Sequence, residues 1–195
     1  MANQPAGVYD HGAPVTQSPT HGGLTPTHGG LAPTHGANGL PAGGAGPTAY
    51  RYHIIEVYSV GSGNFCAYSE VEIAETIGGV DVTPSLAAIS SNGHFGGLST
   101  YQPGNLVDNN VDSIFHSVDI TTVGGISRVT IDFGAGNAKI PKQLKISSRN
   151  DGNHNQAPVN FKLRCSHDNV AMVDVITVTG ATWGTTTAVT NTYTS

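Results

Sequence analysis

Charge is scarce in this chain of 195 residues. Eight Lys and Arg stand against 13 Asp and Glu, and charged residues make up 11% of the whole, where an ordinary soluble domain carries about 25%. The net charge of −5 argues against a nucleic-acid partner, which would need clustered cations to displace phosphate counterions. Cysteine is scarcer still. Cys66 and Cys165 are too few for a disulfide scaffold, and two buried free thiols are the plainer expectation over a bridge. No run approaches 18 apolar residues, so no membrane insertion is expected. The opening Met1-Ala2-Asn3-Gln4-Pro5 has neither a basic start nor an apolar stretch, which reads as no secretory signal and synthesis in the cytoplasm. Runs of Leu, Glu, Lys and Ala that would build helix bundles are missing too. What is present is glycine, 26 residues of it, with Thr, Ser and Asn, a composition suited to short strands and tight turns.

The composition breaks near residue 48. Residues 1–48 contain no Lys or Arg and a single acid, Asp10, but hold 11 of the 26 Gly and 7 of the 11 Pro. Neither a helix nor a central strand tolerates that mixture, and too few large apolar side chains are present for a core. An extended low-complexity arm is expected. It repeats with a period of seven: Pro19-Thr20-His21-Gly22-Gly23-Leu24, then Pro26-Thr27-His28-Gly29-Gly30-Leu31, then the partial copy Pro33-Thr34-His35-Gly36. Leu24 and Leu31 recur once per period with Pro and Gly between them, so this is no coiled-coil heptad. Seven extended residues span roughly 22 Å, so His21, His28 and His35 of one chain cannot share a metal ion. Either equivalent histidines of symmetry-related copies meet around one, or each repeat is a strap whose His and Leu dock on a partner. Forty-eight extended residues reach roughly 150 Å, far enough to cross several subunits.

From residue 49 the chain reads as β. Tyr50–Ser59 and Phe65–Ile73 alternate, are rich in β-branched and aromatic residues, and are separated by Gly61-Ser62-Gly63-Asn64, which reads as a hairpin. Further strands are expected at Phe115–Val118, Arg128–Phe133, Gln143–Ser147, Asn160–Ser166, Asp174–Thr179 and Thr185–Tyr193, with Gly-, Asn- and Asp-rich turns between them. About eight short strands and no helix beyond one turn near Gly104–Val107 predict an antiparallel β-sandwich over residues 49–195.

Four segments of that region resemble one family. Ser69-Glu70-Val71-Glu72-Ile73 is similar to the Glu-Ile-Glu strand of discoidin-like domains, the coagulation-factor C-type, galactose-binding-like jelly rolls. Leu106-Val107-Asp108-Asn109-Asn110-Val111-Asp112-Ser113-Ile114-Phe115-His116-Ser117 resembles their Ala-Phe-Asp-Gly-Asn-x-x-Thr-x-Trp-x-Ser loop. Val129-Thr130-Ile131-Asp132-Phe133-Gly134 resembles the strand closing on Asp-Phe-Gly. Arg149 through Asn169 resembles the segment that ends in their Ser-x-Asp-Gly turn. The Glu-Ile-Glu strand usually comes last and here comes first, which looks like a circularly permuted form, as in tail, fibre and surface proteins of bacteriophages. Phe115 stands where Trp is usual and Asn109 where Gly is usual; Phe still fills a core pocket, and Asn tolerates left-handed backbone.

The resemblance implies a Ca2+ site of hard oxygen ligands: carboxylates from Asp108 and Glu70, carbonyl or side-chain oxygens from Asn110 and Ser113. The bland counterpart is an Asx-type turn closed by its own hydrogen bonds. A second polar cluster, Arg149, Asn153, His154 and Asn155 with Asn150, Asp151 and Gln156, suits recognition of sugar hydroxyls by directional hydrogen bonds. An aromatic platform for it would come from His94, Phe95, Tyr101 or Trp183; the bland counterpart is a solvated loop in which Arg149 pairs with an acid. His53, His116 and His167 read as ordinary strand or turn residues. No nucleophile elbow or phosphate loop occurs, so no enzymatic activity is expected. The expectation is therefore a structural virion protein of a phage-like particle, held to other virion proteins and symmetry-related copies by its arm and displaying a sandwich that binds host glycans. The alternatives are a free carbohydrate-binding module with a flexible linker and, less favoured, a secreted adhesin.

Overall fold

The computed structural model describes residues 48–84, 88–184 and 188–195. The arm residues His21, Leu24, His28, Leu31 and His35 lie outside them. The described residues form strands β1 (Tyr52–Val60), β2 (Phe65–Ala74), β3 (Ile89–Ser91), β4 (Phe115–Asp119), β5 (Ser127–Asp132), β6 (Gln143–Ser148), β7 (Pro158–Ser166), β8 (Val173–Val178) and β9 (Thr190–Thr194). Two antiparallel sheets result, one in the order β3-β5-β1-β7-β8 and the other β4-β2-β6-β9. The described residues thus form an all-β sandwich, and the single turn expected near Gly104–Val107 is a 3-10 turn at Pro103–Leu106.

The expected hairpin fails, and the strand expected at Thr185–Tyr193 is, among the described residues, the shorter Thr190–Thr194. Tyr50–Ser59 and Phe65–Ile73 are not a hairpin: β1 pairs with β5 and β7, whereas β2 pairs with β4 and β6 in the other sheet. The glycine-rich loop 61–64 carries the chain across the sandwich instead of folding it back in one layer. The backbone alternation is the same in both cases, so periodicity cannot distinguish them. From β1 to β7 successive strands keep changing sheet. The three-residue β3 also escaped the sequence reading because Ile89-Ser90-Ser91 is too short to show a period.

The alternation sorts side chains as expected of a sandwich. Along β5, Ser127, Val129 and Ile131 are buried and the residues between them are half-buried. Ile55, Val57, Tyr68, Ile73, Leu106, Phe115, Leu144, Ile146, Phe161 and Leu163 meet in one core cluster. Each such side chain contributes about 1.5–3 kcal/mol by leaving water. Cys66 and Cys165 sit in that cluster as free thiols. Burial raises the Cys66 thiol and pushes Cys165 up to about 12, so neither is reactive at neutral pH. On the outer face of the larger sheet Glu56 is only 1% exposed, yet Arg128 Nε and Nη2 (2.9 and 2.6 Å), Arg164 Nη1 (3.2 Å) and the Tyr58 hydroxyl (2.7 Å) all donate to it. Burial alone would raise this carboxyl, but those bonds hold it below its ordinary value.

The registers also set the polarity of the sandwich. Val57 lies opposite Ser127, Val60 opposite Pro158, Phe65 opposite Asp119 and Tyr68 opposite Ser148. The loops 61–64, 120–126 and 149–157 therefore gather at one end. Tyr50, which bridges to Lys139, enters at the other.

Candidate functional site

Two polar clusters adjoin the loop end, and each takes its geometry from a strand. In the first, β2 holds Glu70 at 7% exposure while the 108–113 loop folds over it. Asn109 adopts φ 57°, the left-handed turn for which Asn substitutes well for Gly. That turn aims the Asn110 N–H at Glu70 Oε1 (2.6 Å) and at Asp108 Oδ1 (3.0 Å). Ser113 Oγ lies 2.6 Å from Asp108 Oδ2 and 2.8 Å from the Asn110 carbonyl, its one proton shared between these two acceptors. Glu70, Asp108, Asn110 and Ser113 are thus brought together, and they also close the Asx-type turn that was the bland expectation.

The electrostatics of this cluster are unbalanced. Burial, and after it the neighbouring Asp108 carboxylate, pushes Glu70 up to about 7, with the Asn110 N–H opposing. A divalent cation would relieve both causes. Side-chain oxygens of Glu70, Asp108 and Ser113, with the Asn105 and Asn110 carbonyls that Ser113 already touches, form a hard-oxygen donor set of the kind Ca2+ takes. Among the described residues no three or more His, Cys, Asp or Glu are placed to hold a metal together, so the remaining ligands would be neutral oxygens. The fit to a calcium-like ion rests on that donor chemistry and on a buried carboxyl that cannot ionise freely.

The second cluster lies in the loop after β6. Arg149 is 8% exposed, and its guanidinium donates to Asp151 Oδ2 (2.5 Å) and Gln156 Oε1 (2.7 Å). Burial would raise Asp151, but the Arg149 bond and the Asn153 N–H hold it below its usual range. Arg149 Nε and His154 Nδ1 are buried without a hydrogen-bond partner. A buried polar atom left unpaired is costly; Arg149 Nε can only donate, whereas His154 Nδ1 donates or accepts according to its tautomer. His154–Gln156 form a 3-10 turn that leaves Asn153 and Asn155 exposed. Gly61 permits this closeness, since a Cβ there would lie 2.8 Å from the Asn155 carbonyl oxygen.

The aromatic neighbours come from elsewhere. Phe95, which is 43% exposed, lies edge-on to Phe65 (5.8 Å between centroids), Tyr101 (5.8 Å) and His116 (5.0 Å). His116 also packs on Phe65 (5.3 Å) and Tyr101 (5.5 Å). Its Nδ1 lies 3.0 Å from the Ser117 carbonyl, so Nδ1 carries a proton and donates, and in the neutral ring Nε2 is the acceptor. Burial lowers its pKa first, against the bond to the Ser117 carbonyl, which raises it; Arg149 lowers it further, and Asp151 opposes. His116 thus feels the charges of the Arg149 loop directly. Of the aromatic candidates, Phe95 and Tyr101 join this cluster. His94 instead makes a backbone bridge to Ser117, and Trp183 packs on the core and donates to the Pro158 carbonyl (2.8 Å). His116 was missed because a lone histidine carries no signal. Strand alternation could have found it: with Phe115 in the core, its neighbour must face outward.

Asn150 ties the two clusters together. Its Nδ2 donates to Asp112 Oδ1 (2.9 Å), and its Oδ1 accepts from the Ala188 N–H (3.2 Å). No family model matches the chain, and neither a curated protein nor a solved structure matches it.

Proposed function

We propose that this chain is a non-enzymatic attachment and structural protein of a phage-like particle, whose sandwich recognises host-surface glycans and whose arm, residues 1–48, anchors it to neighbouring virion proteins and copies. In this proposal the sandwich is a galactose-binding-like jelly roll in circularly permuted form; the strands that change sheet from β1 to β7 and the order of the four resembling segments support that. The observation that carries glycan recognition is the meeting of a half-exposed aromatic cluster with a buried arginine and planar amides at one end. Aromatic faces cover the apolar C–H face of a sugar, while Arg149, His116 and the side chains of Asn153, His154 and Asn155 serve its hydroxyls. Ca2+ at Glu70 and Asp108 would brace the adjoining loop and do no chemistry.

Arg149→Ala is expected to weaken saturable binding on an array of host polysaccharides by about 10–100-fold, as loss of hydrogen bonds to a charged group implies. Phe95→Ala should do the same while lowering the melting temperature by only a few degrees (roughly 2–4 °C per kcal/mol), because its ring is 43% exposed. Absence of binding by the unaltered protein to any polysaccharide would remove the recognition role. The anchoring role is read separately: deletion of residues 1–48 should abolish incorporation into particles. Incorporation of the truncated chain at full occupancy would instead favour the free carbohydrate-binding module, which the same ligand-binding end would also serve.

A further inference from the structure

A sandwich of two open sheets has four edges, and proteins usually protect such edges against pairing with other chains. Here three are protected. β3 is three residues long. β4 is covered by the segment before it, through the His94–Ser117 bridge and the Val118 N–H donating to the Gly93 carbonyl (3.4 Å). β8 is bulged against β7 and carries Asp174, which is ion-paired to Lys162 and Arg164. β9, Thr190-Asn191-Thr192-Tyr193-Thr194, has no charge, no proline and an unbroken register against β6.

That register determines which backbone groups face outward. The Ser148 N–H donates to the Val189 carbonyl (2.9 Å), and the Ser195 N–H to the Lys142 carbonyl (3.3 Å). Hydrogen-bonded pairs therefore fall on odd-numbered residues of β9, so Asn191 and Tyr193 bond toward β6. The N–H and C=O groups of Thr190, Thr192 and Thr194 point away from β6, and among the described residues none pairs with them. The side chains of these threonines are the exposed ones.

We propose that β9 is the docking edge for a second copy of this chain, the two β9 strands pairing antiparallel about a two-fold axis at Thr192. The occupant follows from complementarity. About that axis Thr192 meets Thr192 of the partner subunit, and Thr190 meets Thr194 of the partner subunit. Every outward-facing residue then meets another outward-facing one, and each pair exchanges both backbone hydrogen bonds. Thr–Thr rows are favourable cross-strand pairs, no charge is placed against its like, and Asn191 faces Tyr193 of the partner subunit. The result is one continuous eight-stranded sheet across two copies.

Light scattering and sedimentation on the full chain test this. The unaltered protein should show twice the 20.0 kDa mass of one chain. Thr192→Pro should halve that mass, because its outward N–H serves no bond within the sheet, and Thr192→Lys should do the same by setting two cations face to face. Both variants should keep the wild-type circular dichroism. Register is read by oxidation: Thr192→Cys should cross-link to itself, since hydrogen-bonded partners have Cα atoms roughly 5.5 Å apart, within disulfide reach. Thr190→Cys should cross-link only when mixed with Thr194→Cys. Cys66 and Cys165 are buried and do not compete. A one-chain mass for the unaltered protein, a doubled mass that survives Thr192→Pro, or self-linking of Thr190→Cys would each overturn the proposal.

Discussion

Replacing Glu70 with Gln is expected to raise the melting temperature of the metal-free protein at pH 8 by roughly 5–10 °C and to change it little at pH 4. The carboxyl moves from 4.5 to about 7 on folding, so the folded state holds its proton more tightly. That stabilises the fold fully below the unfolded value. The advantage is lost as pH rises through 7, where a buried carboxylate must coexist with Asp108. The penalty at pH 8 is about 3 kcal/mol, and about 1 kcal/mol moves the melting temperature by roughly 2–4 °C in a chain of this size. Gln keeps the shape and still accepts from the Asn110 N–H. Other groups titrate in the opposite sense: His53, lowered to about 4 by burial, gives stability that is present above its unfolded value and lost as pH falls toward 4. The difference between wild type and Glu70→Gln isolates the carboxyl. Millimolar Ca2+ should raise the wild-type melting temperature at pH 8 and not that of the Gln variant. Equal curves for both proteins, with and without Ca2+, would dismiss the cation and the strained carboxyl together.

Phe115→Ala should cost about 3–5 kcal/mol, the range for emptying an aromatic site in a packed core, and lower the melting temperature by roughly 10–15 °C. Phe115 is fully buried and meets Tyr68 edge-on at 5.7 Å. Tyr68 and Phe115 are register partners across β2 and β4, so the cavity would open between the strands that carry Glu70 and His116. A loss under 1 kcal/mol in chemical denaturation would mean that the loops, and not this contact, set the position of β4.

Several of these features could be seen in the sequence because they rest on local physics. The alternation of Arg128–Phe133 and the turn chemistry around it specify β5 within one residue at either end. Phe115 fills a core pocket and Asn109 takes a left-handed turn, as the residue types at those positions led one to expect. The pairing of Arg149 with an acid two residues away was also local enough to anticipate. What stayed hidden depends on which sheet a strand joins. Gly61-Ser62-Gly63-Asn64 suits a hairpin as well as a crossover. The aromatic cluster unites Phe65, Phe95, Tyr101 and His116 from segments that only the folded sheets bring near one another.

The amide of Asn150, gripping Asp112 on one side and the backbone at Ala188 on the other, makes the two polar loops thermodynamic neighbours. Whatever stiffens one of them lowers the ordering cost still to be met at the other, and linkage makes that help reciprocal. An ion and a sugar bound at these places would each report on the other, so attachment strength would follow the mineral content of the surrounding medium.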